Sequence, residues 1–292
     1  MRYNRLNNPN CDEYPTKEVI YTTLREKIAN VLLDKGITSF CMLDYRHLKE
    51  VKPHLVKKDG FEPKSAIVYL IPYFAGFTKN LSVYAASVDY HSVIKEISEA
   101  LTSIIEADGK YKALGFGDHS PIDERSAALI GGLGVLGDNG LIINEEYGSF
   151  VFIGDVITDV PPDELGCDAP LEIKRCEGCG ACRAACPTGI LCGKGDKCLS
   201  AITQKKGELE DGEIALMKQY GTVWGCDICS LSCPHNKSPK LTPISHFYKD
   251  RIEFLTKQAL NAMSDEEFKS RAFSWRGRAV LERNLNLLYP EE

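Results

Sequence analysis

The sequence predicts an α+β protein in three parts. These are an α/β-type N-terminal domain over 1–165, a cysteine-rich module over 166–240 and a helical segment over 241–292. Apolar residues recur with helical period in some stretches and gather into short β-branched runs in others, the alternation of a mixed fold. A Pro/Asp stretch from 159, DVPPDELGCDAP, separates that patterning from a region of different composition. Of the twelve cysteines, ten fall between Cys167 and Cys233, and only Cys11 and Cys41 stand apart.

Taken in order, 17–35 places Val19, Ile20, Leu24, Ile28, Val31 and Leu32 on one helical face, and Gly36 supplies a stop. SAIVYLIPY is a buried strand ended by Pro72. A second helix is predicted over 86–107, with Val93, Ile94, Ile97, Leu101, Ile104 and Ile105 as its buried stripe. Strands follow at 140–144 and 149–158. Beyond the cysteines, DEEFKSRAF and RAVLERNLNLL read as amphipathic helices. There is no internal repeat or low-complexity tract, although the two cysteine runs resemble halves of a degenerate duplication.

At 292 residues, with 43% hydrophobic and 26% charged side chains, the chain can bury real cores, which argues against disorder, collagen and coiled coil. A net charge of −6 gives no general attraction to nucleic acid, so any such contact needs a local basic patch. The N-terminal residues lack the apolar core of a secretory signal, and no run approaches the ~20 apolar residues of a membrane span. The expectation is a cytoplasmic protein without a membrane partner, where thiols and metal thiolates prevail over disulfides.

Cys176, Cys179, Cys182, Cys186 and Pro187 form C-x2-C-x2-C-x3-C-P, the run of bacterial two-cluster ferredoxins. Its first three thiolates hold one [4Fe–4S] cube and its fourth belongs to another. A second run must therefore exist, and Cys226, Cys229, Cys233 and Pro234 supply C-x2-C-x3-C-P. Cys198 can complete it. Crossed pairing gives Cys176, Cys179, Cys182 and Cys233 for one cluster and Cys186, Cys198, Cys226 and Cys229 for the other, in a ferredoxin-like module. Paired four-cysteine zinc sites are the competing account, but zinc needs neither the third cysteine at x2 nor the x3-C-P ending. Cys11, Cys41, Cys167 and Cys192 have no place in this scheme and read as buried or spare thiols.

GGLGVLG, from 131, does not follow a clear strand, so a dinucleotide loop is a weak reading of it. The stretch around it resembles the epoxyqueuosine reductases, cobalamin-dependent iron–sulfur enzymes of tRNA modification related to reductive dehalogenases. Asp118, Pro121, Glu124 and Arg125 match D-x-x-P-x-x-E-[RK]; Gly132, Leu133, Gly134, Gly137, Asn139 and Leu141 follow at the family's spacing. EYGSFVFIGDVITD, PKSAIVYLIPY, YAASVDYH, WGCDICSLSCPHN and FSWRGRAVLERNL extend the resemblance over most of the chain.

The resemblance implies a nitroreductase-like core in the N-terminal domain, with cobalamin between that domain and the clusters. It places Asp118, Gly134, Gly137, Asn139, Leu141, Ile142 and Ile153 at the cofactor. Electrons from flavodoxin or ferredoxin pass through the clusters to cobalt, and the substrate is the anticodon loop of tRNA. Asp118 is the implied proton donor to the epoxide oxygen, because a carboxyl enclosed beside a corrin retains its proton. Its plainer role is an N-cap or Asx turn ahead of Pro121. His91 reads as structural or as a support to the site, His119 as a loop residue beside the donor, and His235 as packing near a cluster.

The sequence departs from the family's G-L-G-W-I-G-K-[NH]-T at Val135, Asp138 and Gly140, and lacks the C-terminal helical repeat of longer members. Lys205, Lys206, Arg271, Arg276, Arg278 and Arg283 offer a small basic face, or only a solvated one. A two-cluster electron-transfer protein, or a cobalamin reductase of another small substrate, are the alternatives. Patterned sequence over the first ~165 residues exceeds what a pure electron carrier needs.

Overall fold

A computed structural model describes residues 22–57 and 61–291. Helix α1 (Leu24–Asp34) begins later than its apolar pattern, because Thr23 caps it in a box with Glu26. The predicted contribution of Val19 and Ile20 lies outside the described residues. Gly36, at φ 78°, ends the helix in the left-handed turn that glycine accepts without strain.

Four strands form the main sheet: β1 (Phe40–Asp44), β2 (Ser65–Pro72), β3 (Ala113–Phe116) and β6 (Val151–Thr158), in the order β1-β2-β6-β3. Every pairing in it is antiparallel. The α/β-type expectation for this domain therefore gives way to α+β, because the chain returns without parallel crossovers. A small hairpin, β4 (Val135–Leu136) and β5 (Ile142–Ile143), occupies part of the predicted 140–144 strand.

β2 is buried at every position, which explains its unbroken apolar run. Ile67, Tyr69 and Ile71 face α1 and α2 (His91–Ile105) across Ile28, Leu32, Ile97 and Leu101. Ala66, Val68 and Leu70 face α3 (Glu124–Ile130) through Ala127, Ala128 and Leu129. Strands β1 and β3 went unpredicted, being short and without alternation; only the sheet's register reveals them.

After α4 (Pro162–Leu165) come the short helices of the module: α5 (Ala181–Ala185), α6 (Leu199–Thr203), α7 (Asp211–Tyr220) and α8 (Ile228–Leu231). The C-terminal segment adds α9 (Lys257–Ala262), α10 (Asp265–Lys269) and α11 (Arg278–Leu288). Leu255, Leu260, Phe273, Leu281 and Leu285 share a core with Leu81, Ala85, Val223 and Trp224, so this segment packs on both the module and the loop after β2.

Polar seams fix the module against the sheet domain. The half-buried Asp227 accepts from Ser82 Oγ at 2.5 Å and from Val83 N at 2.6 Å. Asn236 accepts from Ser149 N at 3.0 Å and donates to Ser230 O at 2.7 Å. Asn284, fully buried, donates to Thr203 O and Val223 O at 2.7 and 2.8 Å. Among the described residues, no helix is long and apolar enough to cross a membrane.

Candidate functional site

Asp118 lies in the loop between β3 and α3 with φ 60°, a left-handed conformation uncommon for a residue other than glycine. Its own N–H donates to Glu124 Oε1 at 3.1 Å, and Asp123 caps α3 by accepting from Ser126 N at 3.1 Å. The N-cap predicted as the plainer role of Asp118 thus belongs to Asp123. The Asp118 side chain, 57% exposed, accepts from the Tyr90 hydroxyl, and its Oδ2 sits 3.5 Å from His91 Nε2.

Behind it, His91 Nδ1 is 2.8 Å from Asp89 Oδ1. That hydrogen bond raises the His91 pKa against the downward push of burial, favouring the imidazolium more than in a free histidine. Burial, then the bond to Asp118, pushes the Tyr90 hydroxyl far upward, which keeps it a proton-bearing donor. Tyr90 is stacked between Phe152 and His91 at centroid distances of 3.8 and 4.3 Å. His119 turns elsewhere, its Nδ1 3.0 Å from Lys52 Nζ.

Two cavities meet at Asp118. One, of about 380 Å³, has Lys52, Glu124 and Arg125 on its polar side and Leu141, Ile142 and Ile153 on its apolar side. The other, of about 570 Å³, is aromatic, lined by Tyr84, Tyr90, Phe152 and Trp275. Trp275 is 59% exposed and carries the Arg276 guanidinium over its ring at 3.9 Å.

Beneath the first cavity lies a carboxyl pair. Asp155 on β6 is fully buried; its Oδ2 accepts from Ser120 Oγ at 3.0 Å, while Oδ1 has no donor. Glu124 is its neighbour. Burial first and Asp118 second push Glu124 up to about 7, and burial with Glu124 raises Asp155 well above the usual carboxylate range. A proton shared by the pair leaves one buried negative charge in place of two. The sequence reading assigned neither residue a role, although a lone aspartate inside VFIGDVIT was a usable signal.

Cys176, Cys179, Cys182 and Cys233 line one cavity, together with Asp138, Asn139 and His235. Burial raises Cys226 to about 12 and Cys229 to about 11, with repulsion from Cys198 adding to both and from Cys186 to the latter. Burial acts upward on Cys186 too, but N–H groups of Leu191, Thr188 and Gly189 and the Thr188 hydroxyl bring it below its ordinary value. Among the described residues no three His, Cys, Asp or Glu side chains converge on a point suited to a single metal ion. Four thiols around a cavity are a donor set for a cube.

Left-handed turns at Gly178 and Gly180 lead the chain around this cage. Elsewhere, Cys41 is buried in β1, Cys167 Sγ donates to Ser65 Oγ at 3.5 Å and Cys192 Sγ to Arg183 O at 3.5 Å. Cys11 lies outside the described residues.

Of the residues expected at a cofactor, Leu141, Ile142 and Ile153 share the first cavity with Asp118. Asn139 faces the cysteine cage, and Gly134 lies in a groove with Leu171 and Lys174. Gly137 packs on Asn139, where an added Cβ would meet Oδ1 at 2.6 Å. Of the three departures, Asp138 lines the cage and Val135 the groove, leaving Gly140 beside Asp118.

Of the four arginines expected on a basic face, three turn to backbone carbonyls and Arg276 lies over Trp275. Arg271 donates to Asp250 O at 2.5 Å, Arg278 to Leu260 O and Met263 O, and Arg283 to Lys205 O and Gly207 O. Lys205 is bound to Glu213 at 2.8 Å.

Residues 175–236 match the family model of a 4Fe-4S double cluster binding domain. The chain is 30% identical over 260 residues to the epoxyqueuosine reductase of Listeria monocytogenes, covering 81% of this chain and 65% of the relative. It is 32% identical over 223 residues to that of Cyclobacterium marinum, covering 72% of this chain and 69% of the relative. The Bacillus subtilis enzyme matches at 31% over 211 residues, 67% of this chain and 52% of its own length. The chain thus spans roughly half to two thirds of these curated relatives.

In fold it is similar to the solved epoxyqueuosine reductase of Streptococcus thermophilus, with TM-score 0.71, 24% identity, and coverage of 89% of this chain and 79% of that one. It is also similar to an epoxyqueuosine reductase solved with an epoxyqueuosine-modified tRNA-Tyr stem loop, with TM-score 0.72, 24% identity, and coverage of 91% and 80%. With identity above three tenths across more than two thirds of a curated relative, and the double-cluster domain in place, the chain belongs to the epoxyqueuosine reductase family.

Proposed function

We propose that the chain is a cobalamin-dependent iron–sulfur reductase that converts epoxyqueuosine to queuosine in the anticodon loop of tRNA. The observation that carries this reading is a partition. One turn, 137–142, presents Asp138 and Asn139 to the cysteine cage and Gly140, Leu141 and Ile142 to the cavity of Asp118. A cluster and a proton donor thus face each other across a single hairpin. On this reading the module is ferredoxin-like, the sheet domain is nitroreductase-like, and the crossed sets are Cys176, Cys179, Cys182, Cys233 and Cys186, Cys198, Cys226, Cys229.

Leu141, Ile142, Val151 and Ile153 offer an apolar floor suited to a corrin, with Lys52 and Arg125 at its rim for the polar periphery. The bound cobalamin would supply a reduced cobalt centre able to open an epoxide. Replacing the epoxide by an alkene releases its oxygen as water and consumes two electrons and two protons. The electrons come from a low-potential carrier such as flavodoxin or ferredoxin by way of the clusters. Asp118 delivers a proton to the departing oxygen. His91, its pKa raised by Asp89 and its Nε2 3.5 Å from Asp118 Oδ2, is placed to restore that proton.

Anaerobic reconstitution with iron, sulfide and cobalamin, then assay on epoxyqueuosine-containing tRNA, tests this directly. Queuosine formation supports the reading; cobalamin retained without turnover points to another small substrate, and no retention points to an electron-transfer protein. Asp118→Asn is expected to load both cofactors and lose activity by about 10²–10⁴. Normal turnover in that variant removes Asp118 from the donor role.

A further inference from the structure

Asp138 belongs to the sheet domain, at the tip of the β4–β5 hairpin, yet its side chain lines the cage of Cys176, Cys179, Cys182 and Cys233. Only 16% of that side chain is exposed. Its counter-ion is Arg183 on α5, whose Nε lies 3.3 Å from Asp138 Oδ2 and whose side chain is 51% exposed. The pair is unequal. Water screens the guanidinium far more than the carboxylate, so the negative charge dominates the field inside the cage. Gly178 keeps the approach open, its nearest neighbour being Asp138 Oδ2, 4.0 Å from where a Cβ would stand. Glu177 and His235 are the other ionisable groups on this lining. Asp138 alone among them sits on the partition toward Asp118. It is also a position where the glycine-rich stretch carries an acid in place of a base.

We propose that Asp138 sets the reduction potential of the cluster held by Cys176, Cys179, Cys182 and Cys233, making it the stronger reductant facing the Asp118 cavity. Reduction adds one electron to the cube and hence one negative charge. A fixed carboxylate beside it opposes that addition, so the potential falls, net charge near the cluster being a recognised lever on it. Arg183 moderates the effect from the same wall. The inference rests on the double-cluster reading and is independent of the substrate.

The test is a redox titration of the reconstituted full chain, followed by the electron paramagnetic resonance of the reduced clusters. Asp138→Asn is expected to raise one of the two midpoints by about 59 mV, a tenfold change in the one-electron equilibrium, and to leave the other in place. Asp138→Glu keeps the native value, and Arg183→Gln moves the same midpoint downward. Unchanged midpoints in Asp138→Asn, or equal movement of both, overturn the proposal. Should Asp138→Asn fail to load its clusters, Asp138→Ser decides: a selective upward shift supports the role and no shift refutes it. Iron and sulfide content separates the two levels, because zinc without sulfide defeats the double-cluster reading itself.

Discussion

The sheet domain and the cysteine module are held together by different forces. In the sheet domain β2 is apolar on both faces, with α1 and α2 against one and α3 against the other, and Ile67, Val68, Tyr69 and Ile71 are completely buried. The module has only a small apolar cluster of its own, Leu199, Ile202 and Met217, and its cysteine-bearing helices run from Ala181 to Ala185 and from Ile228 to Leu231. Helices that short have no independent stability. One region folds by burying hydrocarbon, whereas the other must draw its order from thiolate–metal bonds and from its seams with the rest of the chain.

The strongest way to break that contrast is to strip the clusters. Anaerobic chelation should abolish amide-exchange protection over 175–236 while β2 and β6 keep theirs. Protection surviving in the module would show that its seams suffice without metal. A smaller effect comes from the other side: Ile67→Ala should cost about 2–5 kcal/mol in the denaturant unfolding of metal-free protein, through the cavity left between sheet and helices. A loss below 1 kcal/mol would mean that the sheet's core is looser than its burial implies.

The two regions should also respond to pH in opposite senses. Glu124 is raised to about 7 with Asp155 above its usual range, so their stabilising contribution is full below the ordinary carboxylate pKa and is lost as pH rises through 7. Glu213 in the module is the reverse. Although burial acts upward, Lys205, the Glu210 N–H and Lys197 bring it down to about 2, so its contribution is present above the ordinary value and disappears only as pH falls toward 2. The melting temperature of the metal-free chain should therefore fall by a few degrees between pH 5 and 8, and Asp155→Asn should remove most of that fall by giving Glu124 a permanent donor. A Tm that stays flat in the parent protein would contradict the shared proton.

Local signals made α1, α2, α10, α11, β2, the strand around 151–158 and the double-cluster cysteine spacing legible, because each depends on neighbours a few residues apart. The hairpin reached only half its meaning that way. Asp138 and Gly140 depart from the family's pattern two residues apart, yet the turn sends them to opposite sides. The carboxyl pair required the register in which Phe116 opposes Asp155, which brings the loop after β3 over β6. Tyr90, His91 and Asp89 join Asp118 for a similar reason, since the start of α2 is folded onto the same end of the sheet. Arg271, Arg278 and Arg283, three of the arginines expected on one basic face, are spent on backbone carbonyls, a choice that only the packing of the C-terminal segment makes.

By itself, then, the sequence determined the double-cluster cysteine spacing and the family, since spacing and composition are properties of the chain. The tertiary structure alone decided which charges share an enclosure. Asp138 meets the cage, and Glu124 meets Asp155, because antiparallel register and a short hairpin bring side chains distant in sequence into one low-dielectric space, where a single proton or carboxylate has its largest effect.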